Sequence, residues 1–356
     1  MLQLGQTPPA PAETEGGPLQ DSHGRFMTDL RLSVTDRCNY RCVYCRNGED
    51  GINFHELESA EYTRMLRLFA SLGIEKIRFT GGEPLLRRDL PDLIAGAASL
   101  RGGFTGEPLD IALTTNGHLL TTLAKPLCDA GLSRITVSMD AMEPVTFERI
   151  TRVPGSFHKV LAGVHAAQDA GLSVKINCVL MRGFNDGEIE AFVEFSRQQN
   201  VVVRFIEFMP LEEPAFGPHT PPGARTWTRE SVIDIEELEA RLNRIRPLVP
   251  LPPKHASETA VRYTFEDGLG EIGIIAPVSR PFCGACSRVR LTSDGKIRTC
   301  LFSQSDHDLA GPMQRGASDD ELRSLIRRII LRKEFRHHIG EPGFLKPARS
   351  MVHIGG

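Results

Sequence analysis

Three cysteines fall inside eight residues, Cys38-Asn39-Tyr40-Arg41-Cys42-Val43-Tyr44-Cys45, directly behind an apolar run from Leu30 to Val34 that reads as a strand. Three thiolates on one short loop hold a soft metal centre. They cannot close it: structural zinc takes four ligands, and so does an iron–sulfur cluster ligated wholly by cysteine. The C-x3-C-x2-C spacing therefore points to a four-iron cluster with one iron left to a ligand that is not protein. Such an iron is where S-adenosylmethionine can chelate and be split by one electron into a carbon radical, chemistry the cofactor supplies and the protein aims. The competing arrangement is a zinc ion completed by a distant histidine, such as His55.

Composition sets the outer bounds. A chain of 356 residues suffices for one large barrel or two domains. A net charge of −3 weighs against nucleic acid as the main partner. No apolar run approaches the length of a bilayer span. Residues 1–24 are rich in Pro, Gly, Thr and Glu and lack the charged-then-apolar layout of a signal peptide. They read as a disordered leader, and the expected location is the cytoplasm. Eight cysteines there act as ligands or free thiols rather than as disulfides.

Six β-type runs, residues 29–35, 75–80, 109–115, 134–139, 173–180 and 201–209, alternate with amphipathic stretches at 59–72, 90–100, 119–130, 155–170 and 186–199. Gly73, Gly131 and Gly171 close three of the helices. The alternation predicts an α/β fold with parallel strands and right-handed crossovers. Six units make an incomplete (βα)6 TIM-like barrel over residues 25–210, with a flat doubly wound sheet as the alternative. The strand ends are polar or glycine-rich: Thr80-Gly81-Gly82-Glu83-Pro84, Thr114-Thr115-Asn116-Gly117, Ser138-Met139-Asp140 and Glu207-Phe208-Met209-Pro210. Barrel enzymes build their sites there, although Gly, Asn and Asp also simply make turns.

Charge supplies a third pattern. Arg31, Arg78, Lys175 and Arg204 each stand between two apolar residues of a strand, so each points to the face opposite its neighbours. In a barrel wrapped by helices that face is the lumen. Buried charge is costly unless paired. Either Glu75, Glu83, Asp110, Asp140 and Glu207 pair with these cations, or a phosphate-bearing ligand does.

Residues 211–356 read as a second region. Pro210, Pro214, Pro218, Pro221 and Pro222 mark an irregular crossing. A helix at 235–245 follows, and Pro247, Pro250, Pro252 and Pro253 suggest a linker. Short β-type runs at 260–265, 271–275, 288–292 and 296–298 precede a charged helix at 319–333. Here Cys283-Gly284-Ala285-Cys286, with Cys300 beyond, forms another triplet one ligand short, unless His307 completes a zinc. Arg288 and Arg290 place cations beside it. The chain closes on Gly355-Gly356, preceded by Arg349, a terminus with no side chains to obstruct a tight site. Cys128 and Cys178 stand singly and read as small core residues.

The cysteine loop, the Gly-Gly-Glu-Pro turn, the strand ends, the second triplet with Arg288-Val289-Arg290 and the Gly-Gly end together resemble the GTP 3′,8-cyclases, radical S-adenosylmethionine enzymes of molybdenum cofactor biosynthesis. The resemblance implies a four-iron cluster on Cys38, Cys42 and Cys45. It implies S-adenosylmethionine contacts from Tyr44, Thr80, Gly81, Gly82, Glu83, Ser138 and Met209. A second four-iron cluster on Cys283, Cys286 and Cys300 faces the guanine of GTP. Arg31, Arg78, Thr114, Lys175, Arg288 and Arg290 fall at substrate positions. Arg204 joins them on charge alone, and Arg349 with Gly355 and Gly356 completes the catalytic site. The implied reaction takes hydrogen from C3′ of GTP, joins C3′ to C8 and yields a 3′,8-cyclised dihydroguanosine triphosphate. A flavodoxin- or ferredoxin-like donor supplies electrons. The product goes to a cyclic pyranopterin monophosphate synthase, and the enzyme is a monomer or homodimer. Arg46-Asn47 stands where the family usually has Met-Pro. Two other readings remain: a two-cluster radical enzyme acting on a peptide, which would not need the lumen cations, and a non-enzymatic zinc protein.

Overall fold

The computed structural model describes residues 16–45, 54–211, 226–347 and 349–355. Within it β1 (Asp29–Ser33), β2 (Lys76–Thr80), β3 (Asp110–Thr115), β4 (Arg134–Ser138), β5 (Ser173–Leu180) and β6 (Val202–Glu207) lie side by side in chain order, every neighbouring pair parallel. Parallel neighbours need crossovers. These are supplied by α1 (Ser59–Ser71), α2 (Leu90–Ala98), α3 (Leu120–Asp129), α4 (Pro144–Thr151), α5 (Ser156–Asp169) and α6 (Ile189–Gln199). The α/β alternation is as the sequence predicts. A doubly wound sheet reverses its order at a switch point. No reversal occurs across β1–β6, so the flat alternative is set aside.

Local chemistry explains the elements. Glu58 and Glu61 form a reciprocal cap at the start of α1, whose Met65, Leu66 and Phe69 are buried. Gly73, Gly131 and Gly171 follow their helices with φ of 102°, 100° and 87°, conformations that side chains resist. The sequence reading missed α4. It also ran one helix and one strand too long: a short 3-10 turn, Asp186–Glu188, precedes α6, and β6 stops at Glu207, before Met209.

The second region builds no sheet of its own. Among the described residues its strands are β7 (Leu248–Leu251), β8 (Val261–Phe265), β9 (Glu271–Ile275), β10 (Arg288–Leu291), β11 (Lys296–Arg298) and β12 (His307–Asp308), and all join the first six in one twelve-stranded sheet. β9 lies parallel beside β6, and β10 lies parallel beside β1. The expected proline linker is in part a strand: β7 contains Pro250 and pairs only with β8. Proline is tolerated there because β7 is the sheet's edge, where a missing amide hydrogen breaks no ladder. The remaining helices are α7 (Ile235–Ile245), α8 (Ala310–Gln314), α9 (Asp319–Ile330) and α10 (Met351–Ile354). No helix among the described residues is long and apolar enough to cross a membrane. Most of the proline-rich crossing, and all of Arg46-Asn47, lie outside the described residues.

One apolar face of the sheet packs under the helices, with Leu30, Leu32, Ile77, Phe79, Ile176 and Phe205 fully buried. Cys178 is buried in this core and Cys128 packs against it. The expected leader needs correction at its inner end. Leu19 is fully buried, its amide donates to Leu72 O at 2.8 Å, and its carbonyl accepts from Met27 N at 2.8 Å. The packed chain thus starts before residue 25, because an apolar side chain here finds room beside α1; residues 1–15 lie outside the described set. Truncating Leu19→Ala is expected to cost about 2–5 kcal/mol of unfolding free energy in a urea titration. A leader outside the core would show no change.

Candidate active site

The cysteine loop leaves β1 and is tied down on every side. Asn39 accepts from Asn116 Nδ2 at 2.7 Å, Tyr40 Oη lies 3.0 Å from His118 Nδ1, and Tyr44 Oη donates to Asp140 at 2.6 Å. The amides of Arg41 and Val43 donate to the carbonyls of Thr151 and Ile150 at 3.1 and 3.0 Å, satisfying the otherwise orphaned end of α4. Cys38, Cys42 and Cys45 are half-buried and in no disulfide among the described residues. Burial pushes the Cys42 thiol well up, and the charges of Cys45, Asp140 and Cys38 add to it.

The Gly-Gly-Glu turn at the end of β2 is stitched to the chain just ahead of this loop. Gly82 N donates to Thr35 O and Glu83 N to Arg37 O, each at 2.7 Å. Glycine is needed here: a Cβ on Gly81 would stand 2.6 Å from Thr35 O. The buried Glu83 carboxylate accepts from Thr115 Oγ1 at 2.6 Å, Asn116 N at 2.7 Å and Leu85 N at 3.0 Å. Burial raises its pKa to about 7 against the pull of these three donors. The turn, the cysteine loop and the end of β3 therefore move as one body. Thr80 is buried beside them, Ser138 ends β4, and Met209 lies just beyond β6.

A cavity of about 730 Å³ opens on the other face of the sheet, lined by Arg31, Arg78, Thr114, Lys175, Arg204, Arg288 and Arg290 together with Met209 and the second cysteine triplet. The four strand cations do converge on it. Arg78 donates to Thr114 and Thr136 hydroxyls at 3.2 Å each, and Arg204 donates to Thr136 at 3.1 Å. Gly273, in register with Arg204, leaves room for its stem: a Cβ there would lie 2.9 Å from Arg204 Cγ.

Among the described residues no carboxylate forms an ion pair with these cations, although Asp29, Glu75, Asp110 and Glu258 line the same cavity. Glu83 is consumed as described, and Asp140 by Tyr44. Asp110 pairs with Arg134, and Glu207 receives Val278 N at 2.7 Å and Ser279 N at 3.0 Å. Among the described residues no ion pair reaches Arg31, Arg78, Lys175, Arg204, Arg288 or Arg290. Arg31 Nε and Arg204 Nε are buried without any partner. Burial, reinforced by neighbouring cations, pulls Arg31, Arg78 and Arg204 down to about 10 and Lys175 to about 8. The structure thus carries concentrated, unanswered positive charge in a concave site, which is what a polyanion binds.

The second triplet lines the same cavity. Arg288 Nη2 lies 3.4 Å from Cys286 Sγ. Burial pushes the Cys286 thiol up, but Arg288 and Lys333 outweigh it and bring it to about 7. Among the described residues no three His, Cys, Asp or Glu side chains converge to share one metal ion. A four-iron cluster spreads its cysteines over separate irons, and the Cys286 thiol beside Arg288 and Lys333 suits such a ligand.

The tail reaches the site. Arg290 Nη1 donates to the Gly355 carbonyl and to Ile354 O at 3.3 Å. Gly355 has φ of 71°, and a Cβ there would stand 2.7 Å from Thr80 Cγ2. Gly356 lies outside the described residues. Arg349 does not line the cavity. It grips Asp294 through two bonds of 2.9 and 2.8 Å, pairs with Asp306, and stacks 4.0 Å above the Phe54 ring. Its guanidinium holds the tail to the β10–β11 turn instead of facing a reactant. Sequence reasoning missed several partners the site depends on: Asn116, His118, Asp140, Asp294 and Lys333. Of these only Asn116 and Asp140 gave a signal, as strand-end residues.

Residues 32–196 match the model of the Radical SAM superfamily, and residues 201–339 match that of Molybdenum Cofactor Synthesis C. A GTP 3′,8-cyclase of Acidothermus cellulolyticus is 42% identical over 332 residues, covering 90% of this chain and 88% of its own length. One of Corynebacterium glutamicum is 43% identical over 349 residues, covering 95% and 89%. The chain belongs to the GTP 3′,8-cyclase family. The fold is also like that of solved structures. Streptococcus suis SuiB bound to S-adenosylmethionine aligns with a TM-score of 0.59 at 14% identity, over 91% of this chain and 77% of that one. The complex of SuiB with the precursor peptide SuiA aligns at 0.57, and the match spans only 63% of that solved chain.

Lys175 gives the cavity a pH signature. Because its folded pKa is lowered to about 8, it is charged below that pH and neutral above it. Lys175→Met is expected to weaken binding of inorganic tripolyphosphate about ten-fold or more at neutral pH, the value of one charge-assisted contact. The gap between variant and wild type should close as pH rises past about 8. Calorimetric titrations across that range check it; equal affinities of variant and wild type at neutral pH would place Lys175 outside the anion site.

Proposed function

We infer that this chain is a GTP 3′,8-cyclase that converts GTP to (8S)-3′,8-cyclo-7,8-dihydroguanosine 5′-triphosphate in molybdenum cofactor biosynthesis. The observation that carries the reading is the cavity of unpaired cations beside a cysteine triplet, in a chain whose relatives bear that name. Cys38, Cys42 and Cys45 would hold a four-iron cluster that, with S-adenosylmethionine bound, would supply a carbon-centred radical, and Cys283, Cys286 and Cys300 would hold a second cluster beside the guanine.

The protein's own part is placement. Tyr44, Thr80, Gly81, Gly82, Glu83, Ser138 and Met209 surround S-adenosylmethionine. Glu83 fixes the glycine turn from beneath, and Asp140 fixes Tyr44. Arg31, Arg78, Lys175, Arg204, Arg288 and Arg290 take the triphosphate, with Thr114 beside them. Anchoring the phosphates this way holds C3′ within reach of the radical source and keeps C8 near C3′, which is where most of the rate advantage of a preorganised site arises. Gly355 sits against Thr80 and helps exclude water from the site; Arg349 acts through the tail, whose Gly356 the sequence reading also assigns to catalysis.

The consecutive parallel order of β1–β6 supports an incomplete (βα)6 barrel over residues 25–210, extended by residues 211–356 as the region of the second cluster. An electron donor of the flavodoxin or ferredoxin kind, a downstream cyclic pyranopterin monophosphate synthase, a cytoplasmic setting and a monomeric or dimeric state complete the reading. A peptide substrate, the other reading of the sequence, would leave the cavity's cations unanswered. Anaerobic incubation with S-adenosylmethionine and a reductant should release 5′-deoxyadenosine faster with GTP than without it; equal rates would end the assignment. Cys283→Ala should still cleave S-adenosylmethionine but form no cyclised nucleotide, measured by mass spectrometry of the products.

A further inference from the structure

Arg25 precedes β1 in a stretch that carries no motif, and it does not line the cavity. Its guanidinium is nonetheless buried, its side chain only 8% exposed, and every arm of it is used. Nε donates to Asp21 at 2.6 Å, Nη1 to the carbonyls of Cys283 and Phe335 at 2.8 Å each, and Nη2 to Glu334 O at 2.7 Å. Asp21 is itself fully buried, and its second oxygen receives the amides of His23 and Arg25 at 2.9 Å each. One cation therefore joins the segment before β1, the first cysteine of the second triplet and the exit of α9.

The same bracket touches the rest of the triplet. Thr28 N and Asp29 N donate to Ser287 O, directly after Cys286, at 3.0 and 3.1 Å. On the α9 side, Lys333 Nζ donates to Arg288 O at 2.9 Å and to Thr299 O, and Glu334 accepts from Thr299 Oγ1 at 2.7 Å. Thr299 precedes Cys300. The loop has little order of its own: within it, a single 3-10 turn and one bond of 3.1 Å from Cys286 N to Cys283 O connect the first two cysteines.

We propose that Arg25, seated on Asp21, is a positioning residue that fixes Cys283 relative to Cys286 and Cys300 and so decides whether the second triplet keeps its cluster. The inference rests on the two-cluster reading above. A planar guanidinium is required because it answers three carbonyls and a carboxylate at once; an ammonium is a single point that cannot span them. Removing it leaves buried carbonyls and a buried carboxylate unanswered, which the loop relieves by shifting.

The test counts iron and acid-labile sulfide in anaerobically reconstituted full-length chains, beside the rate of S-adenosylmethionine cleavage. Wild type should hold about eight irons per chain and Arg25→Met about four, with cleavage at the first centre unchanged. Arg25→Lys should also fall toward about four, and it carries the comparison if Arg25→Met does not fold. Variants that keep about eight irons overturn the proposal, as does equal loss from both centres, which would mark general unfolding. A wild-type chain that takes up only about four irons overturns the two-cluster reading itself, and the clamp with it, independently of any variant.

Discussion

Uncompensated buried charge governs this molecule. A chain whose net charge is −3 lines one cavity with ten lysines and arginines against four carboxylates, Asp29, Glu75, Asp110 and Glu258. Taking an ion out of water without a partner costs several kcal/mol, and like charges nearby raise that cost. The sheet and its apolar core must carry the burden. Threonine hydroxyls soften it: Thr136 receives both Arg78 and Arg204, acting as a neutral spacer between two like charges. On the proposed reading, an anion would meet cations already desolvated and oriented, so that binding would spend little on reorganisation.

The two cysteine triplets are held by different means. The first is ringed by local polar contacts from the ends of β3 and β4 and from α4, which together leave the loop no independent motion. The second is held from a distance, by segments at opposite ends of the chain. The tail follows the same logic: Arg349 grips the turn after β10, and Arg290 on β10 grips Gly355. The tail and two of the cavity's cations, Arg288 and Arg290, thus share β10 as their support.

The sequence made local patterns legible and long-range pairings opaque. Period-two alternation exposed the strands and, through Arg31, Arg78, Lys175 and Arg204, the face that carries charge. Glycines announced helix ends because positive φ is a local demand. The edge position of Pro250 could not be read, since whether a strand is an edge depends on what pairs beyond it. Nor could the sequence reveal that Leu19 is core, that Arg349 is occupied by Asp294 and Asp306, or that Arg25 is seated on a cysteine loop more than two hundred residues away. Those facts belong to tertiary neighbours, not to spacing.

The flanking of β1 by β10, and of β6 by β9, has a consequence for how the chain is made. During synthesis the first six strands emerge with both outer ladders bare, and their hydrogen-bonding partners are among the last segments to leave the ribosome. Contacts so distant in sequence are slow to close, and bare ladders invite pairing with other nascent chains. Premature termination anywhere before residue 288 would therefore release a sticky half-sheet rather than a smaller enzyme, and chaperone occupancy should persist until β10 has docked.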